Sequence, residues 1–366
     1  MKWSFRAGSL FGISVYIHWT FLILLAWIAV GHISSNGTVA QFVIGVLSIS
    51  VLFGIVLMHE LGHSLMARRY GIETKDITLL PIGGLARLER MPDKPWQEFW
   101  VAIAGPAVNV ALAIGALAVM AARGTFTLWP ADMSVDATLL DRFYTVNVYL
   151  VLFNMLPAFP MDGGRVLRAL LATRLPFAQA TRIAASIGQA MALVFVFFGL
   201  MGNFMLLFIA LFVWLGAEGE ASYAQVKSVL GDARVRQAMI TKFRALSPFD
   251  PLSAAVEDIF TGFQQDFPVI DDAGHVVGVL TYHGLIKALT SAGPQGRVGD
   301  AMNREFESCS ADARLEEVMP KLQSSATPTF PVMENSTLIG LLTLNNLSEF
   351  IMVRGAMQSG DVHARG

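Results

Sequence analysis

The chain has 366 residues, 54% of them hydrophobic and 15% charged, with a net charge of −2 and a mean hydropathy of +0.55. Charge this sparse excludes a wholly soluble protein, which would carry about 25%, and a slightly acidic chain without a basic patch excludes nucleic-acid binding. A lone cysteine, Cys309, excludes an intramolecular disulfide and suits a reducing compartment for the soluble part.

Six apolar segments are expected in chain order, over 15–33, 41–66, 98–121, 143–157, 183–200 and 203–217. The fourth and sixth are short against the roughly 20 residues of a full span. No cleavable signal is expected, because the first apolar run is long and no small-residue cleavage site ends it. His18 and Trp19 at the start of this run read as interfacial anchors. Lys and Arg collect before the first segment (Lys2, Arg6), after the second (Arg68, Arg69, Lys75, Arg87, Arg90, Lys94) and after the fourth (Arg165, Arg168, Arg174). The other loops are poor in them, which predicts a multi-pass protein of the cell (inner) membrane with both termini cytoplasmic.

The second segment holds the first chemical motif. His59, Glu60 and His63 form His-Glu-x-x-His. Positions four apart share a helix face, so both imidazoles can reach one metal ion, and Glu60 stands ready to take a proton from water that the metal acidifies. Three ionisable groups in a membrane segment are costly, which favours a functional site over a histidine satisfied in the core. Arg68 marks the cytoplasmic boundary nine residues on, placing the metal about 13 Å below it. "KDITLLPIGGLARLER" (75–90) follows, with Gly83-Gly84 between two apolar-rich runs. It reads as a re-entrant β-hairpin whose edge pairs with an unwound substrate, against the plainer reading of an amphipathic surface linker. In the third segment "GPAVN" (105–109) sets small residues where helices pack closely, and Asn109 reads as part of that packing. After the fourth segment "NMLPAFPMDGGRVLRALL" (154–171) offers Asp162 as third ligand, although Asp before Gly-Gly could simply cap the next helix. Asp132 and Asp136 lie on the opposite side.

Beyond residue 220 the sequence turns soluble and repeats. "VRQAMI" (235–240) returns as "VGDAMN" (298–303), and Phe-Pro-Val at 267 returns at 330. Each copy reads as a short strand, a helix, two strands around a turn and a second helix. The expected division is a membrane domain over 1–220, a linker over 221–234, copies over 235–290 and 298–355, and a tail over 356–366. The fold class is thus an α-helical polytopic membrane domain with a small β-hairpin, followed by a soluble paired α/β domain.

"HELGH" (59–63), "GPAVN" and "NMLPAFPMDGG" (154–164), in this order and spacing, resemble the site-2 protease family of intramembrane zinc metalloproteases over residues 10–220. The repeat resembles paired CBS domains, which implies the bacterial and archaeal branch that carries them. The resemblance implies one zinc ion per chain on His59, His63 and Asp162, with Glu60 catalytic and Asn154 holding the substrate carbonyl or oxyanion. It implies a transmembrane protein substrate, cut within or near the lipid bilayer in regulated intramembrane proteolysis. CBS pairs often bind adenine nucleotides through a Ser/Thr followed three residues later by Asp. Here the pairs are Thr281 with Gly284 and Thr343 with Asn346, so at most one nucleotide is expected, in the second copy; the pair could instead serve a homodimer. Two rival functions are a CBS-gated metal-ion transporter, disfavoured because the ligand set lies on one side, and a non-enzymatic receptor, which leaves His-Glu-x-x-His unexplained.

Overall fold

The computed structural model describes residues 3–23, 26, 39–81, 83–92, 94–125, 138–262 and 264–363. They divide into two compact units, Met1–Ala224 and Gln225–Gly366.

In the first unit, strands β1 (Ser4–Leu10), β2 (Ile13–His18), β3 (Thr74–Leu80) and β4 (Gly83–Leu88) form one sheet in that order. The outer pairs are antiparallel and β2 pairs with β3 in parallel. The helices are α1 (Val39–Arg69), α2 (Pro95–Ala122), α3 (Leu139–Asn154), α4 (Asp162–Leu171), α5 (Phe177–Leu200) and α6 (Met205–Leu230). Among the described residues four of them, α1, α2, α5 and α6, are long and apolar enough to cross a membrane. The expected hairpin over 75–90 is β3–β4. The start of the expected first span needs correction: residues 15–18 belong to a strand over 13–18, because Ile13, Val15 and Ile17 alternate with more polar residues and pack inward at period 2, whereas residues 20–23 and 26 are helical. Most of the remainder, 24–25 and 27–33, lies outside the described residues, as do His32, Asp132 and Asp136. The fourth segment is the 16-residue α3, opened by a capping box between Thr138 and Asp141.

The sheet and α1 share one core. Ile13, Val15, Ile77 and Leu79 from the strands meet Phe53 and Leu61 from α1. This packing holds the β3–β4 hairpin against the helix that carries the histidines. Where α1 crosses α2, Gly62 leaves no room for a side chain: a Cβ there would meet the Ala104 carbonyl oxygen at 2.7 Å. Neighbours pack this closely because transmembrane helices gain little from burying apolar surface that lipid already solvates.

The second unit contains α7 (Leu252–Thr261), β5 (Phe267–Ile270), β6 (Val276–Leu280), α8 (Tyr282–Ala292), α9 (Val298–Ala301), β7 (Cys309–Ser310), α10 (Leu315–Ser324), β8 (Thr329–Glu334), β9 (Thr337–Thr343) and α11 (Leu344–His363). Its two cores are offset from the sequence repeat. Leu230, Ala233 and Val235 pack with Leu315, Phe330, Val332 and Leu342 of the second copy, and Ile240 bridges to Leu341. Val298 and Met302 pack with Leu252, Phe267 and Leu280 of the first copy, and Asn303 bridges to Val279. Each copy is therefore closed by the segment that precedes the other. Glycine makes this possible in both strands: a Cβ at Gly278 would meet Met302 Sδ at 2.6 Å, and one at Gly340 would meet Met239 Sδ at 2.9 Å.

Candidate metal centre

His59 and His63 lie one turn apart on α1, and Asp162 opens α4; all three are buried. The two Nε2 atoms stand 3.1 Å apart, and Asp162 Oδ2 is 3.2 Å from each. Asp162 does not cap its helix: Met161 is the N-cap, and the carboxylate turns to the histidines. Both Nδ1 atoms are engaged elsewhere, His63 at 2.7 Å from the Val101 carbonyl and His59 at 2.6 Å from Asn109 Oδ1. Those oxygens accept only, so each imidazole donates from Nδ1 and turns an Nε2 lone pair toward the other donors. Two lone pairs and a carboxylate converging in a buried space repel one another unless a cation sits between them. Nitrogen and oxygen ligands about 2.0–2.2 Å from a tetrahedral zinc stand about 3.3–3.5 Å apart. The observed triangle and its donor types fit that ion, with a fourth position left for water or substrate.

The surroundings fix this geometry. A Cβ at Gly105 would stand 2.2 Å from His63 Nε2, so only glycine lets α2 approach the ring. Gly163 and Gly164 are equally confined, against the Leu156 carbonyl oxygen at 2.2 Å and the Ala158 backbone at 2.7 Å, which seats the turn that delivers Asp162. Helix α4 is pinned by Arg168, which is 1% exposed. Its Nε donates to Glu98 Oε1 at 2.7 Å and its Nη1 to Glu220 Oε2 at 2.6 Å. The guanidinium also lies 4.9 Å from the Phe159 ring and 5.0 Å from that of Phe177. Sequence reading takes Arg168 as a loop charge; it is instead a buried tie joining α4 to α2 and α6.

Glu60 is half-buried beside the ligands and points to the sheet. Its Oε2 accepts from the Ala86 N–H at 3.3 Å, and its Cγ would be 2.5 Å from a Cβ at Gly84. Among the described residues strand β4 is the last in the sheet order, with β3 as its one strand neighbour. Glu89 N–H bonds to Glu73 on the β3 side, so by the two-residue alternation Ala86 N–H faces the open edge. Asn154 ends α3, half-buried, with Nδ2 donating to the Leu150 carbonyl at 3.0 Å.

Asn109 does more than pack helices, since its Oδ1 accepts a hydrogen bond from His59 Nδ1, and its own Nδ2 donates to Asn147 Oδ1 at 2.9 Å. Asn147 does not stand out in the sequence. The signal available was a lone amide within the apolar run "TVNVYL".

In the second unit, Thr281 caps α8 by accepting from Gly284 N–H at 3.1 Å, and Thr343 accepts from Asn346 N–H at 3.2 Å at the start of α11. A cavity of about 870 Å³ is lined by Thr343 and Asn346 together with Lys242, Arg244, Asp258 and Asp266; Thr281 does not line it. Burial pushes the Cys309 thiol up to about 11, so it stays protonated at neutral pH and offers no nucleophile.

Comparison with known proteins agrees with both units. Residues 47–126 and 126–195 match the model of peptidase family M50, and residues 235–291 and 298–353 match CBS domains. Zinc metalloprotease MJ0392 of Methanocaldococcus jannaschii is 30% identical over 349 residues, covering 95% of this chain and 96% of its own. A relative from Synechocystis is 31% identical over 369 residues, covering 93% and 94%. The solved site-2 protease from Methanocaldococcus jannaschii is 37% identical, covers 60% of this chain and 95% of its own, and has a TM-score of 0.45. With near-complete coverage at this identity, and with a zinc-type donor set on its own helices, the chain belongs to peptidase family M50, the site-2 protease family of zinc metalloproteases, and carries a CBS pair.

Proposed function

We propose that the protein is an intramembrane zinc metalloendopeptidase that cleaves transmembrane proteins within or next to the bilayer, as in regulated intramembrane proteolysis. The observation that carries this reading is the contact between Glu60 and Ala86: the carboxylate beside the metal ligands sits at the edge of β4 that no described strand pairs. An extended peptide adding to that edge as a fifth strand would lay its backbone beside Glu60. A helical substrate must unwind first, because its carbonyls are already hydrogen-bonded and its peptide bonds shielded.

When bound at His59, His63 and Asp162, zinc lowers the pKa of water toward 7 and polarises the scissile carbonyl. Glu60 acts as general base, taking the proton of the attacking water and returning it to the leaving amine. Asn154 retains a second Nδ2 proton beyond the one given to Leu150, and that proton is the donor for the oxygen on which negative charge develops. The Lys and Arg bias of the loops supports both termini in the cytoplasm, with the centre reached by water from that side.

For the CBS pair we infer a single adenine nucleotide in the cavity at Thr343 and Asn346, whose wall also carries Lys242 as well as Arg244 paired with Asp258 at 3.0 Å. Helix α6 is one continuous helix over Met205–Leu230, and the chain's division into two units falls within it at Ala224. This continuity supports control of cleavage by the CBS pair, through a ligand that prefers one of two states.

The test is co-expression with single-span membrane proteins, comparing the wild type with Glu60→Gln. Cleavage that depends on Glu60 is expected. Substrates that stay intact with both forms, in a panel spanning stable and unstable transmembrane helices, would count against the reading.

A further inference from the structure

We infer that Asn147 on α3 is a positioning residue for the metal centre, setting through Asn109 the tautomer in which His59 offers its Nε2 lone pair. The argument starts from a group that can only accept. The Phe143 carbonyl lies 2.8 Å from Asn147 Nδ2, so that atom donates and Asn147 Oδ1 faces the other way. Oδ1 in turn only accepts, so Asn109 presents Nδ2 to it at 2.9 Å. That leaves Asn109 Oδ1 for His59 Nδ1 at 2.6 Å, and an oxygen there requires the proton on Nδ1. Each amide orientation is thus forced by the one before it, back to a helix carbonyl.

Burial makes the chain necessary. Asn109 and Asn147 are both 0% exposed, so water cannot substitute for a missing partner. Without Asn147 the Asn109 amide is free to turn over. Its NH2 would then face His59 Nδ1 and favour the tautomer with the proton on Nε2, which cannot bind a metal. With Asn147 in place that rotation sets two amide oxygens against each other. His63 needs no such relay, because it donates directly to the Val101 backbone carbonyl. The two histidine ligands therefore reach the same tautomer by different routes, and only the His59 route passes through replaceable side chains.

The inference rests on the zinc centre, and zinc content of the wild type is the control that separates a failure of that assignment from a failure of the relay. The measurement is zinc affinity of the purified full-length protein in detergent, by competition with a chelator. Asn147→Leu is expected to bind zinc about 10–100-fold more weakly, the usual loss on removing an outer partner of a ligand. Asn109→Asp placed in the same background is expected to return affinity to within about threefold of wild type. A carboxylate accepts from His59 in either orientation and so needs no partner behind it. A residue needed only to fill space would not be rescued by a change at Asn109. Wild-type affinity in Asn147→Leu overturns the proposal, as does a double variant that binds no more tightly, or folds no better, than the single one.

Discussion

The interior of the membrane unit holds His59, His63, Asn109, Asn147, Asp162 and Arg168, whereas the two cores of the CBS unit are built from residues such as Leu252, Phe267, Leu280, Phe330 and Leu342. In the CBS unit, water drives the folding and apolar burial provides most of the cohesion, with few buried polar side chains such as Asp258, Thr327 and Thr329. In the membrane unit, apolar surface gains little by leaving lipid, and close backbone approach plus hydrogen bonds between helices hold the fold. The same polar groups that join the helices then orient the metal ligands. A substitution in the membrane unit should therefore disturb structure and chemistry together, and one in the CBS unit should leave the metal untouched.

The largest separation is expected from Asp162→Ala, which removes one of three donors and should lower zinc affinity by at least about 100-fold and abolish cleavage. Asp132→Ala and Asp136→Ala should retain zinc, and metal analysis of the three purified variants checks this. Gly105→Ala is a subtler break. The added methyl would displace the His63 ring, and misplacement of about 1 Å can cost about 100-fold in rate; zinc content and cleavage should fall together while the chain still folds. Arg168→Met tests the structural side. It leaves Glu98 and Glu220 without their cation, at a cost of about 3–5 kcal/mol. A lower thermal aggregation midpoint is expected, partly recovered by adding Glu98→Gln. The smallest effect on the metal belongs to Thr343→Val, which should weaken AMP, ADP or ATP binding to the full-length protein while zinc content stays at the wild-type level. Calorimetry that finds two tight nucleotide sites per chain would refute the single-site reading, and no binding at all would favour a dimerising role for the pair.

Which features sequence could reveal follows from the range of the interactions. His59, Glu60 and His63 were legible because helix periodicity alone places them on neighbouring faces, and Asp162 because two prolines and a Gly-Gly pair bracket it. The β3–β4 hairpin announced itself through Gly83-Gly84. Strands β1 and β2 did not, because "ISVYIH" merges into an apolar run and its alternation lasts only six residues. The repeat in the CBS unit was plain, yet nothing local says that 235–240 closes the second copy and 298–303 the first. The relay through Asn147 and the burial of Arg168 depend on how α2, α3, α4 and α6 pack, which no single segment encodes.

The central claim is that His59, His63 and Asp162 hold the metal while Glu60, at the edge of β4, moves protons without binding it. Its most direct test is zinc content and substrate cleavage measured on the same preparations of wild type and Glu60→Gln. One zinc ion per chain in both forms is expected, with cleavage by the variant reduced at least about 100-fold, in the range that general acid–base catalysis contributes. Zinc lost from Glu60→Gln, or cleavage retained by it, would contradict the account.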